Sequence, residues 1–275
     1  MDKLLEEAET IIEKEGWYSY HPEKHREILS SLLKKGAGER NLKNFDPWMK
    51  FFKKGEIPIF SGKRIEVRNV NIGGISVVYI RLEDFMSLSN RQKFKDAVER
   101  ASCDGRPIII DLRGNKGGYL ALCVEVASIF TQNAEEILLT EKYKTGKEEK
   151  YRAGDMFSFI KNGSPIKKPA ILVDEWTASA SELFAETLRQ WGSPLVGDRT
   201  CGKGVSQKGF ALSDGSVIYL TVAECFAGNK RIRWDRKGIE PDYYVRDNRK
   251  LFPGLTATEK DRQFMKAVEV VKKMK

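Results

Sequence analysis

Ser179 and Ser181, in the run TASASE at residues 177–182, and Lys203, between Gly202 and Gly204, are the side chains of this sequence best set for covalent chemistry. The serine run follows an apolar stretch, ILVD at 171–174, and precedes a helical pattern. A serine at that junction projects from a strand-to-helix turn, and the helix N-terminus aims its unbonded N–H groups at the same spot. A serine nucleophile needs a base. The chain has two histidines, His21 and His25, both in its N-terminal part, which leaves no Ser-His-Asp triad within the core. A neutral lysine can take the proton instead. A free amine titrates near ~10.4, so burial must lower it by ~3 units, at a cost of ~4 kcal/mol. Lys203, on a glycine turn beside Val196 and Val205, is placed for such desolvation. Gln207, four residues on, can hold the amine by a hydrogen bond. The reaction this set supports is acyl transfer.

A third segment, IIIDLRGNKGG at 108–118, ends an apolar run in paired glycines. Glycine lets backbone approach a substrate closely. One N–H there and one at Ala180 would make a two-donor oxyanion hole, each donor worth ~3–4 kcal/mol. Each segment also has a purely structural reading. Serine at a helix start is an ordinary cap. A lysine in a turn is usually solvated. Asp111, Arg113 and Asn115 are expected to hydrogen-bond one another and nothing else. On the residues alone, Ser179 and Ser181 remain equal candidates. The run GDRTCGKG at 197–204 nearly matches a phosphate loop. Its last position is Gly204 where a magnesium-binding hydroxyl belongs, and a strand pattern follows it, so nucleotide binding is not expected.

The elements that must position these residues alternate between strand and helix. Residues 1–55 read as helical, with Leu4, Leu5, Ala8, Ile11 and Ile12 at helical spacing and a second helix over 22–35. Trp48, Phe51 and Phe52 form an apolar patch expected to dock elsewhere. Strands are predicted over 74–82, 107–113, 169–174 and 194–197, and helices over 90–102, 119–132, 180–191 and 258–274. Hairpins are predicted over 137–153, turning at Thr145-Gly146, and over 210–223, turning at Asp214-Gly215. The continuous apolar runs suit strands buried on both faces, and the alternation implies an α/β core.

Of the 275 residues, 41% are hydrophobic and 32% charged, enough apolar surface for a packed core and against disorder. No apolar run is long enough to span a bilayer. The start is charged and carries no secretory leader, so the protein is expected to be cytoplasmic or extracytoplasmic with a leader removed. The four cysteines lack CxxC pairing and are expected to be free thiols; zinc spacing and HExxH are absent. The net charge of +9 is spread along the chain and mixed with acids. That reads as a solvated surface, with no nucleic-acid groove, whose field would favour acidic peptides.

Five ordered motifs, DLRGNKGG from Asp111, TASASE from Thr177, VGDRTCGKGVSQ from Val196, SDGS from Ser213 and GIEPD from Gly238, together resemble the S41 peptidases, the C-terminal processing or tail-specific proteases. The resemblance covers about residues 74–245 and implies an α/β fold similar to ClpP and the crotonases. Residues 1–60 would form an N-terminal helical subdomain, and 61–275 the protease core with its C-terminal helix. The resemblance matches the family's nucleophile to Ser179, its base to Lys203 and its lysine-orienting glutamine to Gln207. It matches the oxyanion donors to the backbone of Gly118 and Ala180, and makes Ser181 and Glu182 supporting residues. It implies a serine endopeptidase for unfolded or extended polypeptides, needing no metal or cofactor, with an edge strand pairing to the substrate; a homo-oligomer is compatible with it. The interval from Trp48 to Ile72 is too short for the PDZ domain that family members carry before the core, and AECFAGNKRI from Ala223 replaces the usual Tyr-x-Thr-Pro-x-Gly. The tricorn branch also uses a histidine before the core, a place that His25 could fill. Some S41-like modules bind lipophilic ligands with a degenerate dyad; here serine, lysine and glutamine are all present.

Overall fold

The computed structural model describes residues 2–19, 21–35, 46–56, 65–86, 89–156, 166–248 and 256–274. The chain divides into two compact units. The first comprises residues 1–60, 141–149 and 205–225. Its helices α1 (Asp2–Glu15) and α2 (Pro22–Lys35) bury one stripe each: Leu5, Ala8 and Ile12 from α1 pack with Leu29, Leu32 and Leu33 from α2. Residues three and four apart share a helix face, so this spacing makes the seam. The cluster also takes in Met49, Phe51, Leu212, Ile218 and Leu220. Phe51 lies on a short strand, β1 (Lys50–Phe52), and this corrects the helical reading of residues up to 55. Asp46 and Pro47 break the helical pattern, and Lys50 exposed beside Phe51 buried is period-two alternation. Strand β1 pairs antiparallel with β10 (Val217–Ala227), and β10 pairs antiparallel with β9 (Val205–Ala211). The turn between β9 and β10 falls at Asp214-Gly215 as expected, Asp214 accepting from the N–H and hydroxyl of Ser216.

The second unit comprises residues 61–140, 150–204 and 226–275. Among its described residues lies a six-stranded sheet in the order β11 (Tyr243–Tyr244), β8 (Leu195–Gly197), β7 (Ala170–Val173), β4 (Ile108–Asp111), β3 (Ile75–Arg81) and β2 (Glu66–Ile72). Strands β2 and β3 form an antiparallel hairpin; β4, β7, β8 and β11 continue it in parallel. Strands β2 and β11 were not foreseen from the sequence. Most β2 side chains are not buried and β11 has two exposed residues, so neither carries the apolar run that marks a central strand. Helices α3 (Ser89–Cys103), α4 (Leu120–Ala127), α5 (Ala180–Gln190) and α6 (Arg262–Lys273) follow β3, β4, β7 and β11, and the hairpin β5 (Ile137–Tyr143) and β6 (Glu148–Arg152) turns at Thr145-Gly146 as expected.

Phe264, Ala267, Val268 and Val271 of α6 pack on Val77, Tyr79, Ile109, Leu172 and Val196, one face of the sheet. Residues of opposite parity, Val78, Ile80, Ile108, Ile110 and Ile171, are equally buried, so both faces are covered, as a parallel sheet requires. The mixed α/β class is thereby observed. Among the described residues no helix is long and apolar enough to cross a membrane, and the four cysteines are free thiols.

The sheet order has a direct consequence for the site. Strands β4, β7 and β8 are parallel neighbours, so their carboxyl ends lie side by side. The glycine turn, the serine turn and the lysine turn each leave one of those ends. Open α/β sheets bind ligands at this edge.

Candidate active site

The serine turn is built on Asp174, the residue after β7. Its Oδ1 accepts the N–H groups of Gly114, Trp176 and Thr177 at 2.9–3.0 Å. Thr177 Oγ1 donates to the carbonyl of Leu112, and the N–H of Ala178 donates to the carbonyl of Asn115. Serine turn and glycine turn are thus stitched together. The chain then rises at Ser179 with φ 58° and ψ −121°, a backbone state that costs a non-glycine residue about 1–3 kcal/mol. Helix α5 begins at the next residue. Ser179 is half-buried. Ser181 is wholly buried, and its Oγ has no hydrogen-bond partner among the described residues.

The paired glycines are forced by space. A Cβ on Gly117 would lie 2.8 Å from Ser179 Cβ and 2.7 Å from the Ala178 oxygen; one on Gly118 would lie 2.5 Å from the Phe85 carbonyl. Both have positive φ, +93° and +152°, where side chains are disfavoured. The N–H of Gly117 is taken by Asn115 Oδ1 at 2.9 Å. Those of Gly118 and Ala180 meet no acceptor among the described residues. Asn115 therefore bonds Gly117 and, through Nδ2, the carbonyl of Leu82, and not Asp111 or Arg113.

Those two side chains form a separate buried network. Arg113 donates bidentately to Asp111 and to Asp261 and once more to Gln263, so all five guanidinium N–H groups are used. Burial alone would raise the Asp111 carboxyl. The Arg113 charge and the hydrogen bonds from Arg113 and Tyr79 outweigh it and hold the group at about 2. The network fixes the end of β4 to the start of α6 and is structural, as expected for Asp111 and Arg113.

The lysine turn is also tightly determined. The carbonyl of Gly202 accepts the N–H of Arg236 at 2.7 Å, and the N–H of Gly204 reaches Asp235 Oδ1 at 3.2 Å. A Cβ on Gly202 would lie 2.8 Å from the Gly238 nitrogen, and one on Gly204 2.5 Å from that of Asp235. The glycines flanking Lys203 are thus needed because the backbone of 235–238 passes against them; Gly238 of GIEPD is needed because a Cβ there would lie 2.3 Å from the Thr200 oxygen. Lys203 itself is half-buried.

One carboxylate joins the two turns. Glu182 is fully buried. Its Oε2 accepts the N–H of Ser179 and that of Lys203, each at 2.8 Å; its Oε1 accepts from Thr200 Oγ1 at 2.5 Å and from the N–H of Gly202 at 2.7 Å. Burial pushes its carboxyl up, and these four bonds draw it back without cancelling the rise. The sequence offered a signal, because serine followed three residues later by glutamate is a capping-box pattern. Asp174, Thr200 and Asp235 gave none.

Gln207 lies on β9 in the first unit. Its Nε2 donates to the carbonyl of Trp48 at 2.5 Å. Asp46, buried nearby in that unit, accepts the N–H of Trp48 and both the N–H and hydroxyl of Thr221. His25 lies on α2, where its Nδ1 accepts the N–H of His21.

Residues 76–245 match the sequence model of peptidase family S41. The chain is 31% identical to the carboxy-terminal processing protease CtpA of Bacillus subtilis, over 64% of this chain and 35% of that protein. It is 32% identical to a carboxyl-terminal-processing protease of Synechocystis, over 72% of this chain and 44% of that protein. The chain therefore spans less than half the length of either relative. Among solved structures, a photosystem II D1 C-terminal processing protease is similar with a TM-score of 0.55 and 24% identity, over 68% of this chain and 49% of that one. A lipoprotein from Streptococcus agalactiae has a TM-score of 0.66 and 16% identity, over 89% and 91%. Both share the fold.

Proposed function

The chain belongs to peptidase family S41, and on that premise we propose that it is a serine endopeptidase in which Ser179 is the nucleophile and Lys203 the general base, acting on unfolded or extended polypeptides. Ser179 Oγ attacks the scissile carbonyl carbon while the neutral Lys203 amine takes the hydroxyl proton. The N–H groups of Gly118 and Ala180 hold the tetrahedral oxyanion. The intermediate collapses as the C–N bond breaks, and Lys203 gives its proton to the departing amine. Water, deprotonated by the same amine, then releases the acyl group from Ser179. Gln207 orients Lys203, and an edge strand pairs with the substrate backbone.

The observation that supports this reading best is the double use of Glu182 Oε2 by the N–H groups of Ser179 and Lys203. Two turns far apart in sequence are tied to one buried atom, beside two N–H groups that meet no acceptor among the described residues. A capping box accounts for the bond from Ser179 and a helix start for the open N–H of Ala180, but neither requires the bond from Lys203 or the open N–H of Gly118. The strained backbone of Ser179 adds to this, since such strain gathers at functional sites.

The test is digestion of casein followed by mass spectrometry, comparing the unmodified chain with Ser179→Ala and Lys203→Ala. Cleavage by the unmodified chain alone is expected. Equal cleavage by all three would reject the dyad, and a rate independent of pH between about 5 and 9 would reject lysine as base.

A further inference from the structure

Substrate choice is where the surface around Ser179 adds something new. Among the described residues the exposed large apolar side chains are Tyr119, Trp176, Tyr243 and Tyr244. Two of them stand on the turns that meet at Ser179. Trp176, 52% exposed, is three residues before it; Tyr119, 55% exposed, directly follows Gly118. Those turns are locked together by the bond from Ala178 to Asn115 and the close approach of Gly117 to Ser179, so their side chains stand on a rigid base. The turn uses only the backbone N–H of Trp176, given to Asp174. Lys116 places Nζ over the indole ring, 5.6 Å from its centre, so a positive charge caps one face of an exposed apolar surface. In an extended peptide, residues two apart point the same way and are about 6–7 Å apart, close to that separation.

We propose that Trp176 and Lys116 form a specificity-determining subsite that accepts an aromatic or large aliphatic side chain with an aspartate or glutamate two positions away. This rests on the reading of Ser179 as nucleophile. The indole takes the apolar side chain by stacking, and Lys116 pairs with the carboxylate. The net charge of +9 draws acidic segments to the same surface.

The test uses the full chain with Ser179→Ala, so that bound peptide stays intact, and fluorescence anisotropy of labelled decapeptides that differ only in a central Phe-Ser-Glu, Ala-Ser-Glu or Phe-Ser-Lys. The Phe-Ser-Glu peptide is expected to bind on the order of 5–10-fold more tightly than either other. Adding Trp176→Ala should abolish the preference for phenylalanine, and Trp176→Phe should restore part of it. Adding Lys116→Ala should abolish the preference for glutamate and leave that for phenylalanine. Equal binding of the three peptides, no binding at millimolar peptide, or an unchanged ranking after Trp176→Ala each overturns the subsite. Casein digestion separates this from the catalytic reading. Cleavage abolished by Ser179→Ala but indifferent to these motifs sinks the subsite alone. Ranked peptide binding without any cleavage sinks the nucleophile assignment alone.

Discussion

Glu182 accepts the backbone N–H of Lys203 at 2.8 Å through the same oxygen that takes the N–H of Ser179. A glutamine at this position has one oxygen and one amide nitrogen, and the nitrogen would face donors. Whichever way the amide turns, two of the four donors lose their acceptor. Each orphaned buried donor costs about 1–3 kcal/mol. Glu182→Gln is therefore expected to lose about 2–6 kcal/mol in urea unfolding, and to lose casein cleavage at temperatures where it is still folded. Full cleavage by a folded Glu182→Gln chain would show that the two turns do not depend on this oxygen.

The buried Arg113 network gives a prediction with a pH signature. Arg113→Leu removes the guanidinium that Asp111 and Asp261 share and leaves both carboxylates buried, an arrangement that costs about 3–5 kcal/mol. Asp111 in the folded protein titrates at about 2, below its unfolded value near ~3.9. Its contribution is thus present above pH ~4 and is lost as the pH falls through about 2. The stability gap between the unmodified chain and Arg113→Leu should be widest near neutrality and should close on acidification, because protonated carboxyls no longer need the guanidinium. Denaturant midpoints at several pH values measure it. A gap that widens in acid would contradict the assignment.

The turns of the candidate site were more legible in the sequence than parts of the scaffold that carries them. Ser179, Lys203 and the glycine pair stand in turns whose chemistry is local, so a few neighbouring residues specify them. Strand β4, as IIID, and β7, as AILV, are buried on every side chain and could be read from their apolar runs. Strand β2 is largely polar and exists because it pairs with β3; β1 exists because Phe51 sits opposite Ile218 on β10. Such elements are decided by residues more than a hundred positions away or by an edge partner, and local propensity is overridden. The same holds for Asp235 and Thr200. Asp235 matters because its backbone crosses Gly204, and Thr200 because it stands between Glu182 and the N–H of Ile239. Neither relation leaves a pattern in the chain.

Three glycines with positive φ in one turn should respond differently to alanine. Gly114, at φ +78°, has no atom within 4 Å of a built Cβ, so Gly114→Ala meets only the backbone cost of about 1–2 kcal/mol and should keep its cleavage. Gly117→Ala places its Cβ 2.8 Å from that of Ser179 and must displace the serine. Gly118→Ala places it 2.5 Å from the Phe85 carbonyl and must turn its own N–H away. Both should lose at least 100-fold in kcat/KM, the scale of losing one oxyanion donor. Unfolding curves and casein digestion on the three variants separate the classes. Equal activity in all three would show that this turn does not serve the reaction.

Gln207 donates its amide nitrogen to the carbonyl of Trp48. Trp48 is in turn held by Asp46. If Gln207 orients the Lys203 amine, Gln207→Leu should lower kcat by roughly 10–100-fold while unfolding changes by about 1 kcal/mol, the worth of one hydrogen bond. Asp46→Ala strands the N–H groups of Trp48 and Thr221 and the Thr221 hydroxyl, and its two backbone donors alone should cost about 2–6 kcal/mol. Below its melting temperature its effect on kcat should run through Gln207. The double variant should then be no slower than Gln207→Leu alone, because Asp46 acts on the reaction only through Trp48 and the Gln207 amide. Effects on kcat that multiply would mean that Asp46 supports the first unit without steering the glutamine.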